Sequence, residues 1–139
     1  MSQTQLAREV FVRNMTEGIF NWIESNLHNP LCADGVTAKW GYSKWYTQRQ
    51  FKKYSGVALM TYIRLRKMTE AARLLNDPSL SVKDVYIRFG FDDASSFNRT
   101  FKRCFGAAPT AYRQAPQDYQ DKLVEPLDVE VVIRNILAD

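Results

Sequence analysis

The sequence is poor in the side chains that build reactive or metal-binding centres. Among 139 residues it has one histidine, His28, and two cysteines, Cys32 and Cys104. A zinc site needs about four nitrogen or sulfur ligands held close together, and these three at their spacing do not supply them. No cysteine–histidine pair and no phosphate-cradling loop is present, so the chain is expected to be no enzyme and to need no cofactor. Both cysteines are read as reduced, structural thiols. A redox switch is the alternative, and Lys102 and Arg103 beside Cys104 do not favour it, since many buried thiols have basic neighbours in sequence. His28 closes an apolar helical run and is read as a capping or solvent-facing residue. There is no apolar run of membrane-spanning length. Met1 to Phe20 interleaves Arg8, Glu9, Arg13 and Glu17 with apolar residues, which is not a signal-peptide core. A cytoplasmic, nucleoid-associated protein without membrane contact is therefore expected.

Charge is placed unevenly. Residues 1–113 carry 17 basic and nine acidic side chains, a net +8, whereas residues 114–139 carry two and six, a net −4. A basic body points to a polyanionic partner.

Apolar periodicity predicts helices throughout. Thr16 to Leu27 forms one, stopped by Asn29-Pro30. Cys32 to Lys39, Gly41 and Ser43 to Tyr54 read as helix, turn and helix, with Ser43 as N-cap. Ala58 to Leu75 is the longest helix, ended by Asn76, Asp77 and Pro78. Ser81 and Asp84 form a capping pair for Val82 to Phe89. Gly90 makes the next turn, and Asp92 or Asp93 caps a helix reaching Arg103. After Gly106, Pro109 and Thr110 open a short last helix. The pattern is an internal repeat, with turn glycines Gly41 and Gly90 spaced 49 residues apart. The expected fold is all-α: helix-turn-helix subdomains at 14–56 and 79–114, a linker helix at 57–78, and an acidic tail at 115–139.

A helix-turn-helix presents its second helix to the major groove of double-stranded DNA. The linker spans roughly 27 Å at about 1.5 Å per residue, which predicts recognition helices about 34 Å apart, one turn of B-DNA. A monomer then reads an asymmetric site. In the first recognition helix Trp45, Gln48 and Arg49 share a face. Gln pairs with adenine and Arg with guanine, and Trp45 is read as a thymine-methyl or sugar contact, with a core position as the alternative. In the second, Ala94, Ser95, Asn98 and Arg99 form the candidate face, with pairing to Asp92 or Asp93 the alternative for Arg99. Phe97 and Phe101 are assigned to the core. Ser43, Lys44, Lys53, Arg64, Lys67, Ser96, Lys102, Thr110 and Arg113 are candidates for phosphate contacts.

The segment GFDDASSFNRTFKRCFGAAPTAYR, from Gly90 to Arg113, resembles the C-terminal signature of AraC/XylS-type transcription regulators. Its matching elements are Gly-Phe, Ser-x-Phe-x-Arg-x-Phe-Lys, Phe-Gly and Pro-x-x-Tyr-Arg. WIESNLHNPL, GYSKWYTQRQFKK and YIRLRKMTEAARLL extend the likeness to the MarA/SoxS/Rob-like subgroup over about residues 14–114. The resemblance implies a stress-response activator that binds as a monomer and recruits RNA polymerase through the C-terminal domain of its alpha subunit. It carries base contact over to Trp45, Gln48, Arg49, Ala94, Ser95 and Arg99. Two departures bear on function. Ala94 and Ser95 stand where the subgroup has glutamines. Cys32 at a cap, Gly35 within a helix, and Thr47 and Gln50 at usually apolar places predict a less rigid first unit. In the tail, LDVEVVIRNI fits a strand and a helix equally, beside the reading of a partly ordered tail. An interaction protein acting mainly on RNA polymerase, with weak DNA binding, is the alternative function.

Overall fold

The structure, a computed structural model, describes residues 2–30, 35 and 42–139. Among these it contains seven α-helices, one 3-10 helix and no strand. Apart from Gly35, the helix expected at Cys32 to Lys39 and the turn at Gly41 lie outside the described residues. The chain divides into two compact units. One gathers Met1–Asn26, Cys32–Leu59 and Pro126–Asp139, and the other Leu27–Leu31 and Met60–Glu125.

The first unit begins with α1 (Gln3–Ser25), longer at its start than the periodicity indicates. Ser2 and Gln5 form a capping box that satisfies its first free amides. Thr16, Phe20 and Ile23 are buried at helical spacing. The recognition helix α2 (Lys44–Ser55) is capped by the Ser43 hydroxyl, which accepts from the Tyr46 amide at 3.1 Å. It ends at Gly56, whose φ of 82° suits a residue without Cβ.

The second unit is built on α3 (Leu59–Leu75), whose Met60 and later residues belong to it. It continues with α4 (Val82–Arg88), α5 (Ala94–Phe105) and α6 (Pro109–Gln114). Ser81 and Asp84 make the predicted capping box, and of the two aspartates expected to cap α5 it is Asp93 that does so. Phe97, Phe101 and Phe105 recur every four residues along α5 and are all fully buried. They form an aromatic row with Tyr112, Phe101 lying 4.6 Å from Phe105 and 5.7 Å from Tyr112 between ring centres. Such edge-to-face pairs each add roughly 0.5–1.5 kcal/mol beyond area burial. Gly90, at φ 80°, sits where a side chain is strained and tightly met: a Cβ there would lie 3.2 Å from Pro30 and 3.3 Å from the His28 carbonyl. His28 itself is exposed and stacks on Phe89 at 5.0 Å.

The acidic tail is ordered and divided between the units. A 3-10 helix (Pro116–Lys122) packs against α6 and α5, with Tyr119 meeting Tyr112, and the segment after it lies on α3: the Val124 amide donates to Thr69, and buried Arg66 donates to the Val124 carbonyl. LDVEVVIRNI folds as helix α7 (Val129–Leu137), capped by Asp128. Val132 and Ile133 are buried. The helix runs antiparallel to α1, since Arg8 reaches the carbonyls of Ile136 and Leu137 while Arg13 pairs with Glu130. Burying the two apolar side chains stabilises the unit by about 3–5 kcal/mol at most.

The internal repeat is in register at 50 residues. The caps Ser43 and Asp93 bracket helices of 12 residues each, which end at Gly56 and Gly106, both in the left-handed conformation. In that register Trp45, Gln48 and Arg49 correspond to Ser95, Asn98 and Arg99. The inner face differs: Thr47 and Ser55 stand where α5 has Phe97 and Phe105, and only Phe51 keeps its aromatic counterpart, Phe101. As a result α2 has no fully buried residue, whereas α5 has three. The shortfall leaves a cavity of about 250 Å³ bounded by α1, α2 and α7, lined in part by Phe20, Thr47, Gln50, Phe51, Val132 and Ile136. The Thr47 hydroxyl is buried there without a hydrogen-bond partner among the described residues.

Candidate nucleic-acid interface

The outer faces of α2 and α5 are largely exposed. On α2, Trp45 is 65% exposed, so it is not a core residue. The Arg49 guanidinium lies over its ring at 5.0 Å from the centre. This cation–π contact restrains Arg49 while leaving its planar fork of donors open to a base edge. Gln48 is half-buried beside them. Trp45, Arg49 and Lys53 recur every four residues, so they form one stripe along the helix.

On α5, Ala94, Ser95, Asn98 and Arg99 are all exposed. The Asp93 carboxylate caps the helix by accepting from the Ser96 amide at 2.7 Å, and that bond holds the carboxyl below its ordinary pKa. Arg99 makes no ion pair with Asp92 or Asp93 among the described residues; its charge acts on Asp93 only at longer range. Its guanidinium is therefore available to a partner. The α5 face is tied to a rigid core by the phenylalanines on its other side.

The basic residues separate into two groups. Ser43, Lys44, Lys102 and Thr110 are exposed, as is Lys53, while Arg64 and Ser96 are half-buried. Two other phosphate-contact candidates, Lys67 and Arg113, turn inward. Lys67 is buried, and its ammonium donates to the carbonyls of Asn29 at 2.7 Å and Phe89 at 3.4 Å. Burial lowers its pKa. It fastens the chain on either side of the Gly90 turn to α3. The Arg113 guanidinium donates to the carbonyls of Leu75 and Leu80 and so closes the second unit. Sequence alone names these as basic residues; it does not reveal which way a long side chain turns.

Cys104 is half-buried, and burial raises its thiol pKa, the dominant effect over the pull of Arg64 and Arg103. Among the described residues no cluster of histidine, cysteine or carboxylate groups is arranged to hold a metal. Nor is any described helix long and apolar enough to cross a membrane.

A group that sequence reasoning missed borders the α2 stripe. The Asp139 carboxylate accepts from Lys53 at 2.7 Å and from the Tyr54 hydroxyl at 2.6 Å. Asn135 donates to the Tyr54 carbonyl at 3.1 Å. The helical spacing of Val129, Val132, Ile133 and Ile136 was the available signal for α7, but nothing in it identifies the helix that receives it.

A family model described as a helix-turn-helix domain matches residues 36–115. The multiple antibiotic resistance protein MarA of Escherichia coli is 40% identical over 79% of this chain and 87% of its own length. The transcriptional activator AarP of Providencia stuartii is 39% identical over 82% of this chain and 84% of its own. Among solved structures, the C-terminal domain of the response regulator yesN from Fusobacterium nucleatum superposes with a TM-score of 0.65 at 29% identity, covering 72% of this chain and 98% of that one.

Proposed function

The chain belongs to the AraC/XylS family of helix-turn-helix, DNA-binding transcription regulators, in its MarA-like subgroup, and we propose that it activates transcription by binding an asymmetric promoter site as a monomer. The observation that carries this reading is the pair of 12-residue helices in 50-residue register, each with an exposed outer face of differing base-reading side chains. Trp45, Gln48 and Arg49 read one half-site. Ala94, Ser95, Asn98 and Arg99 read the other. Because the two sets differ, the site lacks two-fold symmetry. Ser43, Lys44, Lys53, Arg64, Ser96, Lys102 and Thr110 supply the phosphate contacts that fix register.

Short side chains at Ala94 and Ser95 leave Asn98 and Arg99 to do most of the reading by α5. Bound at a promoter, the protein recruits RNA polymerase through the C-terminal domain of its alpha subunit, as the family resemblance implies. It acts in the cytoplasm, on the nucleoid.

Selection of tight binders from a random duplex pool tests the reading. The expected result is one asymmetric motif of about two major-groove segments, bound at one protein per duplex. Enrichment of a palindrome, or a steep salt dependence with no motif, overturns it, and the latter result favours a protein that acts mainly on RNA polymerase.

A further inference from the structure

We infer that α7 is an intramolecular competitor for DNA: Asp139 occupies the Lys53 ammonium as a phosphate would, and binding of α2 to DNA displaces it. This rests on the proposed placement of α2 in the major groove. Three observations support it, all within the first unit. Lys53 continues the stripe of Trp45 and Arg49 by one helical turn, so a groove that receives Arg49 brings a phosphate toward Lys53. Asp139 meets that ammonium at 2.7 Å and is held in place by a second bond from the Tyr54 hydroxyl. The helix that delivers it is seated firmly: Val132 and Ile133 are buried, Arg13 pairs with Glu130, Arg8 bonds the Ile136 and Leu137 carbonyls, and Asn135 bonds the Tyr54 carbonyl.

The contact is built to be broken. Both partners are half exposed, at 54% and 50%, so solvent and salt screen the pair and its hold is modest. DNA offers Lys53 a phosphate together with released counterions. Helix α7 stays docked when Asp139, two residues beyond its end, lets go, because the attachments of the helix do not involve Lys53. The device sets a threshold at the stripe that reads the first half-site.

The test measures affinity of the full chain for its selected duplex across a range of salt. Asp139→Asn is expected to bind about twofold to fivefold more tightly at low salt. That gain should shrink as salt rises. It should be absent in a Lys53→Gln background and larger than the gain from Asp121→Asn, which removes one exposed charge elsewhere. Equal or weaker binding by Asp139→Asn, a gain that survives Lys53→Gln, or a gain matched by Asp121→Asn overturns the inference. Arg49→Ala separates it from the underlying reading: if Arg49→Ala leaves affinity unchanged, the placement of α2 on DNA is wrong. If Arg49→Ala loses binding while Asp139→Asn gains nothing, only the competitor is wrong.

Discussion

Thr47 and Phe97 hold the same position in the two copies of one helix, the fifth residue counting from the N-cap Ser43 or Asp93. Phe97 is fully buried among aromatic rings, whereas Thr47 places a hydroxyl with no partner among the described residues beside a cavity of about 250 Å³. Removing that hydroxyl without changing shape should stabilise the first unit. Thr47→Val is expected to raise unfolding free energy by about 1 kcal/mol, read as a shift in the urea midpoint at constant slope. A less stable variant would show that the hydroxyl has a partner in solution.

The same contrast governs local dynamics. With no fully buried side chain in α2 and three phenylalanines in α5, amides of α2 should exchange with solvent faster than those of α5. Equal or slower exchange in α2 would sink the idea that the first unit is the softer of the two.

Base reading separates Arg49 from Lys102. Arg49→Ala should cost about 1–3 kcal/mol of affinity and relax preference at one base pair. Lys102→Ala should weaken all sequences alike and flatten the salt dependence by about one charge. Competition binding against single-base variants of the selected site distinguishes them. A uniform loss with Arg49→Ala would remove it from the base-reading set.

Lys67 makes stability depend on alkaline pH. Its pKa is lowered by burial in the folded chain, so between the lowered value and the ordinary lysine value the unfolded chain binds more protons. Stability should therefore rise with pH through that interval. The difference between wild type and Lys67→Met, measured by thermal unfolding between neutral pH and about pH 10, should grow in favour of wild type. A difference that does not change with pH would show that Lys67 titrates normally.

Acid acts through the caps. Asp84 and Asp93 are held below the usual carboxylate range by Ser81 and Ser96, and Glu130 by Arg13. Folded values below unfolded ones mean that stability is present at neutral pH and is lost as pH falls through the ordinary carboxylate value and below. Asp93→Ala should reduce that acid sensitivity as well as lower stability at pH 7. Unchanged acid sensitivity in the variant would mean that Asp93 is not responsible.

Local chemistry was the legible part of the sequence. Ser43, Ser81 and Asp93 cap the helices they precede because a short oxygen-bearing side chain satisfies a free amide wherever it stands. The buried row along α5 was readable from the spacing of Phe97 and Phe101. The start of α1 was not, because its apolar residues Leu6, Val10 and Phe11 are exposed and mixed with charge. Nor could α7 be separated from a strand, since Val129, Val131 and Ile133 alternate as in a strand while Val129, Val132, Ile133 and Ile136 fit a helical face, and only burial of Val132 with exposure of Val131 decides between them. The inward turn of Lys67 and Arg113 depends on carbonyls 22 to 38 residues away in sequence, which no local pattern records.

The first unit is closed by α7, a helix whose residues come more than 60 positions after those of α2. During synthesis every residue of α3 through α6 leaves the ribosome before that helix exists. The unit that starts the chain is thus the last to be completed, and its partly built form must wait with the surface under Val132 and Ile133 uncovered. Quenched-flow exchange on stalled nascent chains should find α5 protected while α1 is still open. Birth order and assembly order in this molecule run in opposite directions.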